Sequence, residues 1–531
     1  MTGKEGSFPL IPSSFFVLRY NCLMLAHVRS MTTVGLSAVP IDVEVDLSQG
    51  LPGLTIVGLP DKAVEESKER VRSAIKNSGR DFPLRRLTVN LAPADLKKAG
   101  PNFDLSIAVA ILIADEQLKP VPLDWIFLGE LSLDGTVRPI TGALSAATDA
   151  KQHGISRLFV PSVNAAEAQL VRDIEIVPVV SLKELVVQLR DPDHMEILGH
   201  QPPPTDTLRV SRIDFQDVRG QEQAKRALEI AAAGSHNLLM VGPPGSGKTM
   251  LAEAFAGILP PMSYDEMVEV TKIHSVAGEL DHEQSIVSER PFRSPHHTAS
   301  HIAIVGGGQW PRPGEISLAH RGVLFLDELP EFPRSVLEVL RQPLENGNVS
   351  IARAQGSLTF PARFTLIAAQ NPCPCGFADD QERRCICSPT QVLRYQRKIS
   401  GPLLDRIDLH IHVPRVPHDK LTGTDMGESS NDVRGRVLRA REWQRARFEG
   451  RGLIANSEMS TRDVRQLVEL TDEAKQIAAQ AVRQLKLSAR VYLRILKLSR
   501  TIADLAGDDV VGVPAVAEAL QYRPALNETT I

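Results

Sequence analysis

Long hydrophobic runs are missing from this 531-residue sequence, and with them any segment of the length that spans a membrane. Cysteine is scarce: there are five, and four of them fall between Cys373 and Cys387. That distribution is not a secreted disulfide framework, so the cytoplasm is the expected compartment. Charge of one sign is missing too. The net charge is −4, so any surface for nucleic acid is local rather than general. The first 23 residues lack a clear basic n-region, a continuous apolar stretch and an A-x-A site, so a signal peptide is not expected. Their weak apolar patch, Ser14 to Leu18, follows closely on Pro9 and Pro12. Regular patterning starts at Met24. Residues 1–23 are expected to be a loose tail or to precede the natural start.

What is present is an ordinary globular composition, 43% hydrophobic and 23% charged, in a chain too long for one core. Residues 24–190 read as a first α/β domain. Ile41 to Leu47 alternates strictly, as a half-buried strand does. Thr55 to Pro60 and Leu87 to Leu91 read as further strands. Asp61 is placed to cap a helix running to Asn77, and Asp104 to Ala114 reads as a second helix. Leu158 to Pro161 and Ile176 to Val180 complete the α/β sandwich. Residues 191–208 carry four prolines, three of them consecutive, and read as a semi-rigid linker.

The centre of the chain is Gly242-Pro243-Pro244-Gly245-Ser246-Gly247-Lys248-Thr249, which fits G-x-x-x-x-G-K-[ST]. An apolar run, Asn237 to Val241, precedes it, and a helical stretch from Lys248 to Ile258 follows. Glycines let the backbone curl so that successive N–H groups point at phosphate oxygens, and the helix N-terminus adds positive dipole. Lys248 is placed to reach the β- and γ-phosphates of ATP, and the Thr249 hydroxyl to ligate Mg²⁺. Val323 to Leu326 is an apolar strand ending in Asp327-Glu328. The first carboxylate suits Mg²⁺, through water, and the second suits polarising an attacking water. Phe364 to Ala369 is another core strand; Asn371, just beyond its end, can orient water at the γ-phosphate.

Several features leave alternatives open. Residues 262–318 read as an insertion with two loops. His296, His297 and His301 lie in the first, at a spacing poor for a metal site. Ser335 to Gln342 reads as a helix stopped by Pro343. Asn348 to Phe360 reads as a β-hairpin around Gln355-Gly356, with Arg353 near its tip. Cys373, Cys375, Cys385 and Cys387 form C-x-C-x₉-C-x-C, which suits a structural Zn²⁺, four reduced thiols, or a disulfide or redox role. Residues 419–432 are polar. The helix after them carries Arg434, Arg436, Arg439, Arg441, Arg445 and Arg447, which read as a solvated face or a stripe for DNA phosphates.

The motif order resembles the ComM/YifB family of Mg-chelatase-like AAA+ ATPases: the phosphate loop, the insertions, Asn371-Pro-Cys-Pro-Cys-Gly376, Gly401-Pro-Leu-Leu-Asp-Arg-Ile-Asp408 and Ala489-Arg-Val-Tyr-Leu-Arg-Ile-Leu-Lys497. The fold implied is α/β: an N-terminal Lon-protease-like domain at 24–190, a P-loop AAA+ parallel-sheet core at 209–418 and a C-terminal helical lid at 432–525. The Lon-type nucleophile position falls at Asn102, and Pro139 to Leu144 holds no lysine. Without a nucleophile and base there is no covalent hydrolysis. The domain is therefore expected to be a non-proteolytic scaffold, a DNA-contacting module or an oligomerisation collar.

By the same resemblance, Val218, Gly220 and Gln221 belong to the adenine pocket. Arg406 would be the arginine finger reaching a neighbouring subunit, rather than pairing with Asp405 or Asp408. Arg490 is the sensor-2 candidate, with Arg494 its rival. The resemblance also implies a homohexameric ring that uses ATP to move on single-stranded or branched DNA, in recombination or natural transformation. Two rivals share the ATPase core, a magnesium chelatase subunit and a protein-remodelling ATPase without DNA activity.

Overall fold

The computed structural model describes residues 25–523 except 99, 203–212, 281–284, 309–310, 354–355, 379, 381 and 417–426. The expected tail at 1–23, the end of the expected linker and the start of the polar stretch lie outside the described residues. The chain forms two compact units, one ending at His200 and one running on from Gln201, with Thr33–Ser37 assigned to the second.

In the first unit seven strands form one sheet. Their order is Gly53–Val57, Arg86–Ala92, Ser37–Ser48, Leu25–Val34, Trp125–Phe127, Arg157–Pro161 and Glu175–Val179. Ser37–Ser48 buries alternate residues, as its sequence alternation demands, and runs antiparallel to Arg86–Ala92. From Leu25–Val34 to Glu175–Val179 the pairing is parallel. Asp61 caps the helix Lys62–Asn77 by accepting from the Val64 N–H at 2.9 Å. Every residue of the helix Asp104–Ala114 is buried, in keeping with its apolar circumference. Its buried carboxylate, Asp104, accepts from Arg70 Nε at 2.7 Å and from the Ser67 hydroxyl. Asn102 sits in the short turn in front of this helix, and Lys98, fully buried, donates to the Pro93 carbonyl.

The second unit is built on a five-stranded sheet, in the order Phe292–Arg293, Val323–Leu326, Thr365–Gln370, Leu238–Val241 and Leu409–His412. All four pairings are parallel, so every strand's C-terminal end lies on one edge of the sheet. Strands buried on both faces read as continuous apolar runs, as Val323–Leu326 does. The helices Ser430–Arg447, Thr461–Leu467, Asp472–Gln484, Ala489–Ala506 and Val513–Gln521 form the C-terminal part. Their apolar residues share one core with the sheet and the helix Glu222–Gly234.

Two expectations change here. Pro343 does not stop a helix. The chain breaks earlier, between Arg334–Val339 and Arg341–Asn346, and Pro343 lies in the first turn of the second piece. In a first turn the missing N–H costs no hydrogen bond. The arginine run is also neither wholly a solvated face nor a phosphate stripe. Arg434 donates to the Gly257 carbonyl, Arg436 to Glu229 and Glu428, Arg441 to the Ala232 and Ile454 carbonyls, and Arg447 to Asp504. These four tie their helix to its neighbours, while Arg439 and Arg445 are exposed. The hairpin forms as expected from Asn348–Arg353 and Gly356–Pro361, with Arg353 opposite Gly356 beside the turn.

Candidate nucleotide site

The strand Leu238–Val241 delivers the chain to the sheet's C-terminal edge, and the loop 242–247 carries it into the helix Lys248–Ile258. Gly245 and Gly247 have φ of 77° and 89°, a left-handed backbone that glycine adopts without strain, and open space lies where a Cβ would project. At Gly242 a Cβ would fall 2.1 Å from the Val413 carbonyl oxygen, so only glycine fits. The cradle therefore has room above it and is packed tightly below. Ser246 Oγ is buried and has no hydrogen-bond partner among the described residues. Gln221 comes from the segment before the first helix and donates to the Pro414 carbonyl at 2.5 Å, on the loop's flank.

Lys248 is buried, and its ammonium donates to the carbonyls of Gly242 (2.8 Å) and Pro243 (2.9 Å) and to Asn371 Oδ1 (3.4 Å). Burial pushes its pKa down, and Asp327 and Glu328 push it back up. The Thr249 hydroxyl donates to Asp327 Oδ2 at 2.9 Å, so the two groups suited to Mg²⁺ stand side by side. Asp327, Glu328 and Asn371 are at the ends of adjacent strands, on the same edge as the loop. These residues fit a nucleoside triphosphate with Mg²⁺: backbone N–H groups and Lys248 for the phosphates, Thr249 and Asp327 for the cation, and Glu328 and Asn371 for water.

Glu328 has φ 51°, a left-handed conformation unusual for a side-chain-bearing residue. Its Oε2 lies 3.4 Å from His297 Nδ1. His297 follows the edge strand Phe292–Arg293, the neighbour of Val323–Leu326, so sheet order brings histidine and glutamate together. No local sequence signal marks that adjacency, and a metal-site reading of the three histidines overlooks the pairing. Among the described residues, the four cysteines are the one group of three or more potential metal ligands whose donor atoms converge. Their sulfurs lie within 4.8 Å of one another. Burial opposes ionisation of Cys375, yet the N–H groups of Ile386 and Phe377 pull its thiol down to about 6.

Arg406 and Arg490 are brought together, but away from the loop. Arg406 is 5% exposed and donates to the Pro402 carbonyl and to Glu345. Arg490 Nη2 donates to the other oxygen of Glu345 at 2.6 Å. The intrachain acid is thus Glu345, not Asp405 or Asp408. Asp408 pairs instead with Arg494, at 2.5 Å. Asn237 donates to the Arg406 carbonyl at 3.2 Å and stands just before Leu238–Val241. The two arginines therefore lie at the start of the strand whose end carries the phosphate loop, roughly 15 Å away at about 3.3 Å per residue.

Three family profiles match the chain: "Magnesium chelatase, subunit ChlI" over residues 214–421, "Subunit ChlI of Mg-chelatase" over 43–164 and "Magnesium chelatase, subunit ChlI C-terminal" over 427–523. Fold and site together define a Mg-chelatase-like protein of the AAA+ class. The chain is 46% identical over 512 residues to the competence protein ComM of Haemophilus influenzae, covering 94% of this chain and 98% of that one. It is 45% identical over 504 residues to YifB of Escherichia coli K12, covering 94% and 97%. It belongs to the ComM/YifB family.

Proposed function

We propose that this chain is an Mg²⁺-dependent ATPase that assembles into a homohexameric ring and uses hydrolysis to move on single-stranded or branched DNA, as a branch-migration helicase in recombination or natural transformation. The observation that carries the ring is the division of the site. The phosphate loop, Asp327, Glu328 and Asn371 stand at one edge of the sheet, and Arg406 and Arg490 stand at the other. One chain cannot bring both to one nucleotide; two chains packed head to tail can.

In this reading Lys248 and the loop N–H groups hold the phosphates, and Glu328 takes the proton of a water that Asn371 orients. Thr249 and Asp327 would hold Mg²⁺, which would supply positive charge against the phosphates. A neighbour's Arg406 reaches the transferring phosphoryl group, a contribution of about 10³–10⁵ in rate where such fingers operate. Arg490 assists from the same side. The DNA part is supported by the 46% identity to a competence protein. The front unit, with Asn102 at the Lon-type nucleophile position, serves as a non-proteolytic scaffold, and the four cysteines hold a structural Zn²⁺. The cytoplasm is the compartment this reading requires.

The decisive experiment measures ATP turnover by the purified chain with and without branched DNA, following strand exchange in the same tube. DNA-stimulated turnover with movement of the branch is expected. Turnover indifferent to DNA, with a stationary branch, would favour a protein-remodelling ATPase. One observation speaks for that second reading: four of the six arginines that suited DNA phosphates are engaged within the chain.

A further inference from the structure

We infer that a zinc ion bound by Cys373, Cys375, Cys385 and Cys387 is the prop that seats the ATP site, so that metal loading governs nucleotide affinity. This rests on the reading of loop 242–249 as an ATP site and goes beyond it, because it makes the loop's geometry depend on a second ligand.

Three of the four sulfurs are spaced close to what a tetrahedral thiolate site requires, and Cys387 Sγ lies within 4.8 Å of each of them. Four thiolates about 2.3 Å from one Zn²⁺ stand about 3.8 Å apart. Here Cys373–Cys375, Cys373–Cys385 and Cys375–Cys385 are 3.3, 3.7 and 3.6 Å apart. Disulfide sulfurs stand about 2.05 Å apart, far closer than any of these. Four soft donors select zinc over magnesium or calcium.

The placement supplies the coupling. Cys373 is two residues beyond Asn371, whose Oδ1 meets Lys248. The turn Cys373–Gly376 closes with the Gly376 N–H on the Cys373 carbonyl at 3.0 Å and lies directly against the phosphate loop. A Cβ at Gly376 would stand 2.5 Å from Pro244 Cδ, and Gly376 has φ 85°. The described residues between Asn371 and Ser388 include no helix or strand, and Ile386, their largest aliphatic side chain, is 87% exposed. Its supports include Gln396 on the Pro372 carbonyl at 3.4 Å and the guanidinium groups of Arg383 and Arg415 beside the Phe377 ring. A segment with so little core of its own needs a cross-link to hold one shape. Once held, it fixes Pro244 from outside and Asn371 from behind.

The test uses the full chain, purified without chelator. Metal is counted by inductively coupled plasma mass spectrometry, and affinity for a fluorescent ATP analogue is titrated with Mg²⁺ present. One zinc per chain is expected. Stripping it with a thiol-directed mercurial and chelator, followed by reduction of the thiols, is expected to weaken the analogue at least tenfold. Restoring Zn²⁺, and not adding more Mg²⁺, recovers the affinity. Because the stripped chain can lose its fold altogether, Gly376→Val is the second arm: zinc stays at one per chain while affinity falls, since the new side chain meets Pro244. A metal-free chain with full affinity overturns the inference, as does a zinc-loaded Gly376→Val chain that binds like the wild type. A zinc-loaded wild-type chain that binds no ATP overturns the ATPase reading and the coupling with it, and leaves the metal count standing.

Discussion

Glu328 is held in a left-handed conformation beside His297, in a cluster with Asp327, Thr249 and Lys248. Backbone strain of this kind costs about 1–3 kcal/mol and persists where the surroundings impose it. Glu328→Gln keeps the shape and removes the proton acceptor. Turnover is expected to fall by about 10²–10⁴ with nucleotide affinity retained. Phosphate release and a nucleotide titration check both halves, and wild-type turnover would rule the role out. This cluster was legible wherever a role depends on neighbours in sequence. The phosphate loop is contiguous, and Asp327, Glu328 and Asn371 follow apolar strands. His297 and Glu345 were not legible as site residues. Each meets its partner only through strand order or through the packing of a separate helix.

At the level of elements, the caps and apolar periods of the helices could be read ahead, but the facing of the arginine helix could not. Spacing gives which residues share a side; it does not say whether that side meets water or protein. Asp504 shows how firmly the side is held. Fully enclosed, it accepts from Arg447 Nη1 at 2.9 Å, Arg500 Nε at 3.0 Å and Asn456 Nδ2 at 2.7 Å. Asp504→Ala leaves two guanidinium groups without their acid, so a loss of about 3–5 kcal/mol is expected by urea denaturation. A loss below about 1 kcal/mol would contradict this account.

Acid acts on the same unit. Burial, helped by Arg523, pushes His410 down to about 4, and burial likewise lowers His236. Both are neutral in the folded chain at pH 7. The unfolded chain takes up protons below about pH 6.5, so stability is complete above that value and lost as pH falls towards 4. His410→Asn is expected to flatten the fall by about 2–3 kcal/mol across that window, measured by denaturation at successive pH values. An unchanged slope would assign the acid sensitivity elsewhere.

For the molecule as a whole, composition indicated an ordinary globular chain of more than one core, and motif order indicated the family. The division of the site was expected only through the family resemblance of the Arg406 segment; composition and spacing could not give it, because the distance between Arg406 and Lys248 depends on which end of one strand each occupies. The division has a direct test. Lys248→Ala and Arg406→Ala chains are each expected to be nearly inactive. Mixed, they are expected to regain part of the wild-type turnover, because some contacts then pair an intact loop with an intact arginine. No recovery on mixing would mean that arginine and loop do not meet across chains.

The opposition of loop and arginine across Leu238–Val241 also sets an arithmetic. In the proposed ring the two halves face apart, so each chain would lend to one neighbour and borrow from the other, and a face-to-face pair would satisfy neither completely. An open row always strands one loop and one arginine at its ends. Short rows thus waste the largest share of their sites. The last chain to join, by closing the circle, turns two idle halves into one working site and adds another besides, so output per chain climbs most steeply at the moment no ends are left.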